Sequence, residues 1–345
     1  PVGRAKLCFS CHIGDVAKGR VVTHEMYAAG HPPLPGIEVA SFSDAMPAHW
    51  EPMSAKIQRA RKLQEQKKGK VLNGFDFLRN AYGIDPEREQ MEQTRMVAVT
   101  CLVAVQASVK LMTDQAKAAL APAPAGNTYA SDTRWPMLAN YDCYACHHDL
   151  SIKSWRQERG YRGRPGRVEA RSWSLSLGRF GFDLASGAKD PLALDRAIDP
   201  WLEVFQKVPF GTPQAVLERS KSVDAILAAK IAELRKNPFD RAEGKKALRL
   251  LSDLAAGDSY DFDSARQFAW ALRTVAKEID PDDTRLTPIF RSLDSELQLK
   301  LPEGGQVEIA PKLLDAVYGR ISTYQPERFR AKMLEINRLL KASKN

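Results

Sequence analysis

Two pentads set paired thiols beside an imidazole: Cys8-Phe9-Ser10-Cys11-His12 and Cys143-Tyr144-Ala145-Cys146-His147. Thiols three positions apart reach the two vinyl groups of one haem, and the imidazole that follows lies under the iron. The spacing predicts two covalently attached c-type haems, with His12 and His147 as proximal ligands. Zinc would use four Cys without asking for a His after each pair, and a thioredoxin-like site would need only one pair. Those are the competing readings of the same thiols.

The chain has six histidines: His12, His24, His31, His49, His147 and His148. Two haems take at most two axial ligands beyond the proximal pair, so four remaining imidazoles are more than the irons need. All four lie in or beside the haem segments, and no histidine follows His148. The distal candidates, in order, are His31, His24, His49 and His148. His24 and His31 are two helical turns apart and share a face if the residues between them are helical. Pro32 and Pro33 stiffen the chain after His31. His148 diverges from His147 by about 100° on a helix, so it must address another haem or a propionate. Met26 or Met46 as an axial ligand would raise the potential, but the surplus of imidazoles favours bis-His coordination and a low-potential carrier.

The elements that carry these residues read as helical. Residues 1 to about 50 are punctuated by Gly and Pro, including Gly30–Gly36 (GHPPLPG), and predict loop with short helical turns. Met53–Lys70 reads as a charged, solvated helix. Asp85-Pro86-Glu87 has the chemistry of a helix start, and that helix is expected to run to Leu120, where Ala121–Gly126 (APAPAG) ends it. Its apolar run, Met96–Met112, is interrupted by Thr100, Gln106, Ser108 and Lys110, which predicts a buried helix and no transmembrane segment. Cys101, inside it, reads as a small buried hydrophobe.

From about Pro191 the apolar period becomes 3.6. Thr212-Pro213 opens a helix with Val216, Val223, Leu227, Ile231 and Leu234 on one face, and Asn237-Pro238 stops it. Phe268, Leu272, Val275 and Ile279 repeat the pattern, as do Phe290, Leu293 and Leu297, then Leu314, Val317 and Ile321, then Phe329, Met333 and Leu340. The expected fold is mainly α: an irregular haem-packed N-terminal half with a long helix, followed by an all-α bundle. The expected division is a haem domain over 1–190 and a cofactor-free helical domain over 191–345.

The formal charge of +9 omits cofactors. Haem propionates offset part of it and attract Arg and Lys, so nucleic-acid binding does not follow, and an acidic redox partner does. Trp155–Trp173, with six arginines among glycines and aromatics, reads as an arm over a haem with guanidinium groups on propionates. Nucleic-acid binding fits that composition but not its haem context.

The runs CFSCHIGD, VVTHEMYAAGHPPLPGIE, MPAHW and CYACHHDL resemble the multihaem c-type cytochromes related to the tetrahaem carrier that accepts electrons from hydroxylamine oxidoreductase. The resemblance covers residues 1 to about 175. It implies an extracytoplasmic electron carrier with closely packed, mostly bis-His haems. His12 and His147 match the family's proximal ligands, His31 and His24 match distal positions, and His49 is a weaker match. Relatives usually carry four haem motifs and this chain has two. The expectation is therefore haem c at two sites, with further haems contacted from an upstream segment or partner chain, within a larger respiratory complex. Covalent haem attachment occurs outside the bacterial cytoplasm, so a periplasmic location is expected, with the signal peptide not in this chain. The expected function is electron transfer without substrate chemistry. The alternative is a small multihaem oxidoreductase with one open iron, acting on a nitrogen or sulfur species.

Overall fold

The computed structural model describes residues 1–31, 34, 36–47, 51–66, 74–82, 84–87, 90–122, 135–143, 146–147, 167–187, 193–237, 239–298, 319 and 321–342. His49, His148, Pro32, Pro33, the arginine arm up to residue 166, and Leu314 and Val317 lie outside the described residues. The fold is mainly α. Among the described residues the only β pairing is two isolated bridges, Asp15 with Arg20 and Tyr141 with Ala170.

The N-terminal part carries α1 (Val2–His12), α2 (His24–Ala28), α3 (Val39–Ala45), α4 (Met53–Gln66), α5 (Gly74–Tyr82) and the long α6 (Glu92–Leu120). Short α7 (Trp173–Ser176) and α8 (Gly178–Ala185) follow, then α9 (Ala193–Lys207), α10 (Pro213–Lys236), α11 (Arg241–Gly257), α12 (Phe262–Ile279), α13 (Thr287–Leu297) and α14 (Pro326–Ala342).

Helix α6 organises the molecule. Every residue from Thr94 to Val105 is buried, so this stretch of the helix must be covered on all sides. Helices α1, α3, α8, α10 and α12 supply that cover, and the buried core runs without a break from Ala5 to Ile336. By length and composition α6 could cross a membrane: it has 29 residues and an 18-residue window of mean hydropathy 1.7. Here 72% of that window is buried inside the protein, and α6 is a core helix. A satellite cluster of Met53, Ile57, Ala60, Phe75, Leu78 and Ile84 packs α4 on α5.

The start of α6 differs from expectation. Asp85 and Pro86 form a turn instead of opening the helix, because the Asp85 carboxylate is bonded by Arg79 at 3.1 Å and by the Glu87 N–H at 3.2 Å. The helix begins at Glu92, and its N-cap, Met91, gives no side-chain cap. Glu278 of α12 does this instead: its carboxylate accepts from the Gln93 N–H, the Thr94 N–H and the Thr94 hydroxyl, each at 2.7 Å. Burial lifts the pKa of Glu278, and those hydrogen bonds pull it back.

The bundle follows its sequence pattern. Thr212 Oγ1 accepts from the Ala215 N–H at 3.3 Å, Pro213 is the first residue of α10, and Val216, Val223, Leu227, Ile231 and Leu234 are all buried. Phe268, Leu272, Val275 and Ile279 of α12 are buried too, as are Phe290, Leu293 and Leu297 of α13. On α14, Phe329 and Met333 are buried and Leu340 packs at the margin of the core.

Candidate functional site

The first pentad lies on a helix and not in a loop. Ala5 and Phe9 are one turn apart on α1, and both are buried in the core that α6 dominates, so this apolar pair fixes the helix. Cys8, Cys11 and His12 consequently fall in its last turn, with Cys8 half-buried and Cys11 exposed. Burial pushes the Cys8 thiol up, against the pull of Arg4. Gly14, at φ 133°, then turns the chain; a Cβ there would meet the Arg20 carbonyl and a Leu111 methyl, each at 3.1 Å. Arg20 also donates to Ser10 Oγ at 2.8 Å and ties the returning loop to α1.

The second pentad hangs on a two-residue antiparallel bridge. The Asp142 N–H donates to the Glu169 carbonyl at 2.9 Å, and the Arg171 N–H to the Asn140 carbonyl at 3.0 Å. Across the motif the Cys146 and His147 N–H groups both donate to the Cys143 carbonyl, at 3.2 and 2.8 Å. That places Cys143, half-buried, and Cys146, exposed, ahead of an exposed His147.

His24 meets this second motif. Thr23 caps α2 by accepting from the Met26 N–H at 3.3 Å, which makes His24 its first residue. The His24 and His147 rings lie 6.1 Å apart between centroids, with planes inclined by 23°. Two imidazoles on opposite sides of one metal have centroids about 6 Å apart, given metal–nitrogen bonds of about 2 Å and about 1 Å from nitrogen to ring centre. An ordinary offset aromatic pair spans about the same distance, and Cys143 and Cys146 precede His147 in the same motif. His31 does not join this pair. Its ring lies 6.2 Å from that of Tyr27, in the turn that ends α2.

His12 opens onto a separate, small cleft of about 40 Å³. The cleft is walled by Ile13, Val22, Leu34, Leu111, Met112 and Trp201, and its polar lining includes Tyr27, Ser108, Asn140, Arg171, Trp173 and Ser174. The GHPPLPG run reaches the same place: Leu34 lines the cleft, and a Cβ on Gly36 would stand 3.2 Å from the Trp173 ring. On its other side the His12 ring meets the edge of Phe42 at 6.3 Å, and Phe42 in turn meets Trp270 at 5.3 Å, with Arg266 over the Trp270 ring at 4.6 Å.

Among the described residues no three His, Cys, Asp or Glu side chains converge on a metal position. No protein-family model, curated protein or solved structure matches the chain.

Sequence reasoning missed Tyr27 and Phe42, whose only signal was an aromatic residue near a candidate ligand histidine. It did mark the arginine arm, of which Arg167 and Arg171 are described. Arg167 donates to the Gln206 carbonyl at 3.2 Å, whereas Arg171 lines the His12 cleft and donates to Tyr27 Oη at 3.2 Å.

Proposed function

We propose that the protein is an extracytoplasmic electron carrier with two haems c. One is attached through Cys8 and Cys11 with His12 as proximal ligand, the other through Cys143 and Cys146 with His147 as proximal ligand. What carries the reading is the His24–His147 pair, whose spacing suits one six-coordinate iron beside a Cys-x-x-Cys turn. A haem brings four equatorial nitrogens of its own, so the protein need contribute only two imidazoles, and it need not gather the four ligands of a zinc site. Bound haem would supply one-electron redox chemistry. The chain's own residues would hold each iron six-coordinate and fix its surroundings, a role that leaves no coordination position for substrate. His31, beside Tyr27 of the His12 cleft, is the distal candidate for the other iron.

The test is the thiol count and intact mass of the protein from its native source. Two attached haems leave one alkylatable cysteine per denatured chain, Cys101, and a mass raised by two haems. Five alkylatable thiols on an unmodified chain would overturn the proposal. Rapid binding of cyanide to the ferric protein would overturn the carrier reading while keeping the haems, and favour an open iron.

A further inference from the structure

Three hydrogen-bond donors converge on the small cleft beside His12. Arg171 lines it, and one of the five guanidinium N–H groups goes to Tyr27 Oη at 3.2 Å. Among the described residues no carboxylate lies within ion-pairing reach of Arg171, and the acid whose field reaches it, Asp263, is paired with Arg266 at 3.3 Å. The Trp173 indole is 3% exposed and lines the same cleft, and its Nε1–H has no hydrogen-bond partner among the described residues. Tyr27 Oη accepts from Arg171, which leaves its own hydrogen to donate. The other polar groups of the wall bind one another or their surroundings: Ser108 donates to Ser174 at 2.7 Å, Ser174 to the Arg171 carbonyl at 3.4 Å, and Asn140 to Gln115. A buried donor without an acceptor is costly, and a desolvated guanidinium without a counter-charge is costlier.

The size of the cleft limits what can supply the acceptors. A buried water needs about 10–15 Å³, so about 40 Å³ takes a body of about three or four non-hydrogen atoms. A porphyrin does not fit. A planar oxyanion does: two of its oxygens match the parallel donors of the guanidinium fork, and its remaining lone pairs take the indole N–H and the Tyr27 hydroxyl. A halide offers a single centre and cannot match the fork.

We propose that Arg171, Trp173 and Tyr27 form a binding site for a small planar oxyanion, of the size and shape of formate or nitrate. Every group that would hold the anion belongs to the protein, so the site stands whether or not haem is attached. It also has a structural consequence. Tyr27 lies one turn after His24 on α2, and the Arg171 N–H donates to the carbonyl of Asn140, three residues before Cys143. A bound anion therefore braces α2 against the bridge that carries the second pentad, the contact on which the pairing of His24 with His147 depends.

The experiment is isothermal titration of the full chain, as purified, with sodium formate in a buffer free of other small anions. The expected result is one formate per chain with a Kd below about 1 mM. Arg171→Met should weaken binding at least about tenfold, and Arg171→Lys, which keeps the charge and loses the fork, should fall between. Trp173→Phe, which keeps the ring and removes the N–H, should weaken it about threefold, and it carries the test if Arg171→Met does not fold. Absence of binding, or binding that Arg171→Met and Trp173→Phe leave unchanged, overturns the site. Chloride bound as tightly as formate overturns the oxyanion assignment. A shift of a haem absorption band on adding formate places the anion on an iron and overturns the site as well.

Discussion

Glu278 on α12 closes the N-terminus of α6 by binding Thr94, a residue 184 positions earlier in the chain. Thr94 is fully buried, so its N–H and hydroxyl have no water to turn to. Glu278→Ala strands both, together with the Gln93 N–H, and should cost about 2 kcal/mol in urea unfolding. Glu278→Gln keeps an acceptor and removes a charge that burial already disfavours, so it should cost less than half of that. Equal losses in the two variants would show that the charge, and not the acceptor, closes the helix.

Helices α6 and α8 touch backbone to backbone at Gly181. A Cβ there would sit 2.5 Å from Cys101 Sγ, 2.7 Å from the Ala98 carbonyl and 2.9 Å from Leu102 Cγ. Gly181→Ala must push the helices apart and should destabilise by about 3 kcal/mol. Cys101→Ala removes the nearest of the three contacts but not the backbone one. The double variant should therefore recover part of the loss, and full additivity in a thermal denaturation cycle would disprove the contact.

The contrast between these helices and α10 explains what the sequence disclosed. The cap of α10 is local: Thr212 serves a residue three positions on, and the buried face repeats on the helical period, so both are legible from one stretch. The cap of α6 comes from another helix, and Asp85, which looks like the cap, is bonded by Arg79 instead. The candidate site divides in the same way. Each Cys-x-x-Cys-His pentad is short-range chemistry and stands out by inspection. The choice of His24 as the neighbour of His147, and the meeting of Tyr27 with Arg171, depend on how α2 docks beside the bridge at Tyr141 and Ala170. No spacing rule encodes a contact across that many residues.

Asp183 on α8 makes stability depend on pH. It is 2% exposed, and its Oδ1 has no hydrogen-bond partner among the described residues. Burial pushes its pKa up to about 6, and the Asp195 charge adds to this, while Arg179 opposes it but is itself bonded to Asp195 at 2.6 Å. A folded pKa above the unfolded one means that the native state holds the proton more tightly. The stability contributed by the protonated form is full below about pH 4, is lost as pH rises to about 6, and stays lost above. Asp183→Asn should raise stability by about 2 kcal/mol at pH 7.5 and by almost nothing at pH 4. A gain that does not vary with pH would assign the effect to packing.

Removing His24 should expose one iron. His24 is the first residue of α2 and only partly buried, and Thr23 caps the helix independently of it, so His24→Ala should cost under about 1 kcal/mol of stability. In the haem-loaded protein its loss leaves the iron held by His147 with a vacant sixth position. One haem per chain should then turn high-spin and bind cyanide at least tenfold faster than wild type, and added imidazole should restore the low-spin spectrum. His31→Ala should leave the haem at His147 unchanged, because the His31 ring packs beside Tyr27 and not beside His147. If His31→Ala opens that iron and His24→Ala does not, the pairing of His24 with His147 is an ordinary aromatic contact, and the axial ligand reaches the iron from the turn after α2.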